Sequence, residues 1–201
     1  MTTLYKLTTS TGLTRAGERN ETKWGPGITH EAQGSGTELC SDGFIHAYTS
    51  PLLAVLLNPI HANIDFPLLW ECEGVVLLSD HGLKVGCKKL TTIRTLPVPI
   101  VTQEQRIAFG ILCALEVERN VVFVKWARKW LSGEDRTKTA ASTMMEAAAA
   151  GAAAMAAAAA AAIATARAAA TAAAIAAATA ATAATAASLD LQSLAEKALE
   201  Y

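Results

Sequence analysis

From Ala140 to Ala187 the chain holds 33 alanines among 48 residues, with Glu146 and Arg167 as its only charges. Nothing before Thr139 has this character, so residues 1–139 and the remainder need separate accounts. Alanine gives up no side-chain freedom in a helix, and 140–187 is therefore expected to be helical, about 72 Å long as one rod. A rod with so little charge is expected to associate, which points to a homo-oligomer built through the Ala-rich helices. Met144, Met155, Ile163 and Ile175 fall at very different angles around a helix, which argues against a heptad seam.

Two sharper readings of the same segment fit less well. Residues 147–166 form an uncharged run long enough to cross a bilayer, yet alanine contributes little transfer energy and Leu, Val and Phe are missing there. Thr171 and Thr182 stand eleven apart, as on the flat threonine face of an ice-binding helix, but Thr165, Thr179 and Thr185 leave that line. The closing piece, 188–201, has Asp190 as a helix N-cap and Leu191, Leu194, Ala195, Ala198 and Leu199 on one face. Such a terminal helix is expected to dock.

Residues 1–139 have ordinary globular composition. The net charge of -1 argues against a nucleic-acid partner, since a phosphate-binding surface needs a cationic excess. The local basic stretch Arg119–Lys138 reads as the solvated face of a helix. The N-terminus has no apolar segment of signal-peptide length, so a cytoplasmic protein is expected, with Cys40, Cys72, Cys87 and Cys113 as reduced, buried thiols. Their spacing holds no C-x-x-C pair and no metal site is expected; a shared ion on Cys40 and His46 would lack a second pair of ligands.

Residues 3–9, TLYKLTT, read as an opening strand, and the Gly-rich, polar stretch 12–43 as a long binding loop. FIHAY is a short strand. Thr49 or Ser50 followed by Pro51 starts a helix that Pro59 is expected to end. LLWECEGVVLL, 68–78, suits a buried strand broken at Gly74, and one or two further short strands precede Thr102. Thr102 and Gln105 form a capping box ahead of a helix carrying Ile107, Ile111, Leu112 and Leu115 on one face. A second helix, about 121–131, places Phe123, Trp126, Ala127 and Trp130 on one stripe. The expected fold class is α+β: short strands around a helix, then two helices leading out.

The motifs LYKL at 4–7, GFIH at 43–46 and the Trp70–Glu71 pair resemble a small bacterial family of unknown function with an ADP-ribosyltransferase-like fold, over roughly the first 75 residues. In layout the chain is also similar to a phage-encoded domain of unknown function, through THEAQGSGTELCSDGFIH, Pro51 and WECEG. These resemblances imply an ADP-ribosyltransferase-like domain, a phage or prophage origin consistent with the Ala-rich tail, and a host-cell or virion-associated location. They imply NAD or a related nucleotide as ligand, and a possible host or virion protein as partner.

The resemblance to ADP-ribosyltransferases implies a cleft with a hydroxyl-bearing strand end, a glutamate near the ribose, and an arginine or histidine on ribose or phosphate. The matching positions are Tyr5 or Lys6, His46, Tyr48, Thr49, Ser50, Glu71 and Glu73. Glu71 and Glu73 stand two apart on a strand and so face one side, where like charges raise a carboxyl pKa if buried. Against that stands the reading in which both face solvent and Cys72 faces the core. The arginine and the full Ser-Thr-Ser pattern of arginine-specific transferases are absent. His46 is either a site residue or a partner for a turn carbonyl. His30 and Glu31, with Arg15, Arg19 and Lys23, are expected to close over an anion or to stand as exposed loop charges. The functional expectation is a nucleotide-binding accessory protein; the alternatives are a non-enzymatic structural or interaction protein and a sponge for a nucleotide signal.

Overall fold

A computed structural model describes residues 1–137, 140 and 189–201. The Ala-rich segment 140–187, with its expected helix and self-association, lies outside the described residues apart from Ala140. The described residues form an antiparallel sheet with helices, an α+β fold as expected, in two compact units, Met1–Ile100 and Val101–Tyr201.

The first unit is built on three long strands. β1 (Thr2–Thr8) pairs with β6 (Leu68–Ser79), and β6 pairs along its length with β7 (Val85–Leu96), all antiparallel. Alternation sets the faces: Leu4, Lys6 and Thr8 point the same way as their neighbours Trp70 and Cys72. That side holds the main core of Leu4, Trp24, Ala47, Trp70, Cys72, Val85, Cys87 and Leu90. Trp70 is fixed within it by an indole N–H donated to Thr8 Oγ1 at 2.9 Å.

Gly74 does not break β6. A Cβ there would stand 3.1 Å from Cys87 Sγ, Leu90 Cδ1 and the Lys89 carbonyl, so glycine lets the strands approach where the register shifts, between Gly74 and Val76. The short strands expected before Thr102 are one twelve-residue strand, β7, held to β6 throughout.

The loop 12–43 also carries regular structure. β2 (Leu13–Thr14) and β3 (Thr22–Lys23) form a small hairpin, and β4 (Thr29–Glu31) adds to β7. β5 (Ile45–Ala47) joins β7 further along, through Ile45 opposite Cys87. The next residue, Tyr48, exchanges both backbone hydrogen bonds with Tyr5 at 2.8 Å. β1 is thus bonded to β6 along one edge and, through the single bridge Tyr5–Tyr48, to the end of β5 on the other, which closes the circuit β1-β6-β7-β5 into a ring.

α1 (Pro51–His61) starts at Ser50, whose hydroxyl accepts from the N–H groups of Leu52 and Leu53, with Pro51 in the first turn. Pro59 lies inside the last turn instead of ending the helix. The exit is set by Asn58: its carbonyl accepts from Ala62 and Asn63, and its side-chain amide bonds both backbone groups of Ile64. α1 lies against β1.

The second unit holds α2 (Gln103–Val117), α3 (Val121–Leu131) and α4 (Leu191–Ala198). The Thr102–Gln105 capping box is complete, with both reciprocal bonds formed, and Asn120 caps α3. Phe123, Trp126, Ala127 and Trp130 are buried, as the stripe on α3 requires. Asp190 caps α4 through the Ser193 N–H at 3.0 Å, and Gln105 of α2 donates to the Leu199 carbonyl at 3.0 Å, so the terminal helix docks on α2. Among the described residues no helix is long and apolar enough to cross a membrane.

Candidate functional site

A cleft of roughly 1190 Å³ opens in the first unit, where the β2–β3 hairpin, β4, β5 and the end of α1 surround the inward face of β1. Lys6 lies at its inner wall. It is a lysine at a core-facing register position and is buried. Its ammonium donates to the His46 carbonyl at 2.9 Å and stands 4.9 Å from the centre of the Trp24 indole. No ion pair joins Lys6 to a carboxylate among the described residues. Loss of water pushes the Lys6 amine down to about 8, opposed only by the neighbouring Cys72 and Cys87 thiols, while Arg15 lowers it further. Burial in turn pushes the Cys72 thiol up to about 12.

Trp24 holds this corner together. A tryptophan in a Gly-rich polar stretch must find cover, and it does so by folding the hairpin over the sheet: its N–H donates to Thr14 Oγ1 at 3.0 Å and its backbone N–H to the Gly12 carbonyl. The His30 ring meets Trp24 edge-on at 4.6 Å between centroids, and its Nε2–H donates to the Lys23 carbonyl.

His46 donates Nε2–H to the Leu39 carbonyl at 2.5 Å, which assigns the proton to that nitrogen and leaves Nδ1 as an acceptor. Burial holds its pKa below the ordinary value, with the Leu39 bond acting the other way, so the ring is neutral near pH 7. Tyr48 and His61 stack with centroids 5.8 Å apart and share a hydrogen bond of 3.2 Å between the phenol and Nδ1. Burial raises the Tyr48 phenol and pushes His61 down to about 4. This pair is a neutral donor–acceptor couple on the cleft wall.

Of the residues the sequence singled out, Lys6, His46 and Tyr48 from one set and Arg15 and His30 from the loop set line one cleft. Others lie elsewhere. Glu71 and Tyr5 are register partners on the opposite face of the sheet from Lys6, and Glu73 follows Glu71 there, exposed. Glu71 instead binds Arg94, with Nε and Nη2 at 2.9 and 2.7 Å from one carboxylate oxygen. The expected glutamate beside His46 is therefore corrected: strand alternation turns both carboxylates away from the cleft. Ser50 is a buried helix cap, and Thr49 is exposed off the cleft wall.

Of the loop charges, Arg15, His30 and Glu31 reach the wall, while Lys23 is bonded to the Thr11 carbonyl. Arg15 takes a left-handed backbone conformation, φ 53°, uncommon for a non-glycine residue, at the turn closed by Glu18 N–H to its carbonyl. Four carboxylates line the cleft: Glu18 pairs with Arg15 at 3.9 Å, Glu31 with Lys89 at 2.9 Å, Asp42 accepts from Gly36 N–H, and Asp65 stands on the wall beyond the end of α1. Cys40 is exposed, against the expectation of burial, whereas Cys72, Cys87 and Cys113 are buried. Among the described residues no group of three His, Cys, Asp or Glu side chains is placed to hold a metal ion.

Sequence reasoning missed Trp24, His61 and Lys84, all on the cleft wall. Trp24 carried a signal, a large apolar residue inside a polar loop. His61 and Lys84 carried none, since only the closure of the strands brings them together. Compared with known families, curated proteins and solved structures, the chain matches no family model, no curated protein and no solved structure.

Proposed function

We propose that the cleft of the first unit binds NAD or a related nucleotide. One observation carries this reading: Lys6 is a buried cation at the cleft wall whose contacts are a carbonyl and an indole face, with no carboxylate paired to it among the described residues. A cation so placed is costly until an anion joins it. A ligand phosphate supplies that anion, with Arg15 and Lys84 on the same wall as further donors. The neutral His46 and the Tyr48–His61 couple offer directional hydrogen bonds suited to ribose hydroxyls.

In this reading the domain is ADP-ribosyltransferase-like and belongs to a phage or prophage accessory protein of the host cytoplasm or virion. Segment 140–187 joins copies of the chain. With Glu71 and Glu73 on the far face, binding without transfer is favoured, as in a protein that sequesters a nucleotide signal. Thermal unfolding of the full-length protein with NAD, ADP-ribose and cyclic nucleotides tests it. A ligand at 100 times its Kd adds about 2.7 kcal/mol, and that shift should be lost in Arg15→Ala. No shift from any of these compounds contradicts the reading.

A second reading, a structural or interaction protein, is favoured by a different observation. Val75 and Leu77 alternate with inward Val76, and Ile93 follows buried Thr92; all three are exposed on the outer face of the sheet. That face would meet a host or virion protein.

A further inference from the structure

We propose that Lys6 is a covalent site, its amine condensing with the open-chain aldehyde of a phosphorylated sugar lodged in the cleft. The phosphate half of this ligand class rests on the nucleotide reading above; the amine chemistry rests on Lys6 itself.

The geometry holds the nitrogen still. Lys6 extends from the inward face of β1, with one N–H on the His46 carbonyl at 2.9 Å and the Trp24 ring 4.9 Å away. A neutral amine keeps two N–H groups and so retains the bond to the His46 carbonyl, while the cation–π attraction to Trp24 is given up with the proton. The proton that leaves is the third, and a lone pair takes its place. The groups facing it are Trp24 from the hairpin, Cys72 from β6, Cys87 from β7, the His46 backbone from β5, and Arg15. None of these is a carboxylate that would hold the ammonium form. With the amine at about 8, about a tenth of it is free at pH 7, against about one part in 3,000 for an ordinary lysine. A desolvated lysine in such surroundings is the activated form of this nucleophile.

The step balances without an outside oxidant or reductant. The nitrogen lone pair attacks the aldehyde carbon and the carbonyl π pair moves to oxygen, which takes the proton released from nitrogen. The carbinolamine then loses one water as the C=N bond forms, so amine and aldehyde give imine and water. Arg15 and Lys84 line the same cleft, Arg15 paired with Glu18 at 3.9 Å and Lys84 with Asp80 at 3.7 Å, and in this proposal the sugar phosphate takes them over as its partners.

The test uses the full-length, unaltered chain, so no variant has to fold. Ribose 5-phosphate or ribose is added with cyanoborohydride, which reduces an imine to a stable amine, and each lysine is read by peptide mass spectrometry. With ribose 5-phosphate at pH 7, Lys6 should label at least tenfold faster than the exposed Lys89 and Lys125. The advantage of Lys6 over Lys89 and Lys125 should be largest near pH 7 and narrow toward about pH 10, where the other amines also lose their proton. Labelling at Lys89 and Lys125 with Lys6 untouched overturns the proposal. Equal labelling by ribose and ribose 5-phosphate overturns its phosphate half. The two readings fail separately: Lys6 labelling in a protein that binds no NAD removes the nucleotide site alone, and an inert Lys6 in a protein that binds NAD removes the covalent site alone.

Discussion

The Lys6 ammonium donates to the His46 main-chain carbonyl at 2.9 Å, tying β1 to β5 at the point where the strands close into a ring. The same bond puts a cation inside the sheet. Its burial gives a definite pH dependence. The folded amine titrates at about 8 and the unfolded one near 10.5, so between these values the unfolded chain binds more protons and stability rises with pH. The penalty is fully present below about pH 8 and amounts to about 3 kcal/mol. Lys6→Met should therefore be more stable than the parent by about 2 kcal/mol at pH 7, after loss of one hydrogen bond, and the difference should shrink toward pH 10.5. Urea unfolding across pH 7 to 10.5 checks this; a variant less stable at pH 7 would contradict it.

His61 acts at the acid end. Its folded value of about 4 lies below the ordinary 6.5, so the unfolded chain takes up the proton first and stability falls as pH drops from 6.5 to 4. His61→Phe keeps a ring beside Tyr48 and removes the titration. The parent should lose about 2 kcal/mol more than this variant between pH 7 and 4, measured by urea midpoints. Parallel losses would show that His61 is protonated without cost.

Glu71 and Arg94 form a surface pair, with the arginine 68% exposed. Glu71→Ala should cost less than about 1 kcal/mol and leave any nucleotide-induced thermal shift intact. Abolition of that shift, with folding retained, would return Glu71 to the site.

Ser50 is a cap and not a ligand group. Ser50→Ala should lower stability by about 1 kcal/mol, and Ser50→Asp should restore most of it, with ligand affinity unchanged in both. A loss of affinity without loss of stability would contradict the assignment.

What was legible in the sequence was what local chemistry decides. Thr49 or Ser50 with Pro51, Thr102 with Gln105 and Asp190 marked the starts of α1, α2 and α4, with Ser50 proving to be the first cap, because a cap is a matter of a few adjacent atoms. The stripe of Phe123, Trp126 and Trp130 likewise gave α3. What was hidden depends on pairing at a distance. Gly74 looked like an interruption until Cys87 and Leu90 were known to lie opposite it. Pro59 looked like a stop, but the Asn58 bonds to Ile64 set the exit.

The candidate site divides in the same way. Lys6 and Tyr5 were both candidates, and only the register with Trp70 and Glu71 separates the inward residue from the outward one. Glu71 and Glu73 were correctly placed on one face of a strand, and that face is the one away from the cleft. A one-residue alternation decides which chemistry is available.

Hydrogen–deuterium exchange of the full-length protein, with and without ADP-ribose, tests the central claim most directly, because it reports both binding and place. The account predicts slower exchange in peptides covering 12–24, 41–48 and 61–65, the segments that wall the cleft around Lys6. Protection confined to the outer face of β6 and β7 around Glu71, or none at saturating ADP-ribose, would contradict it.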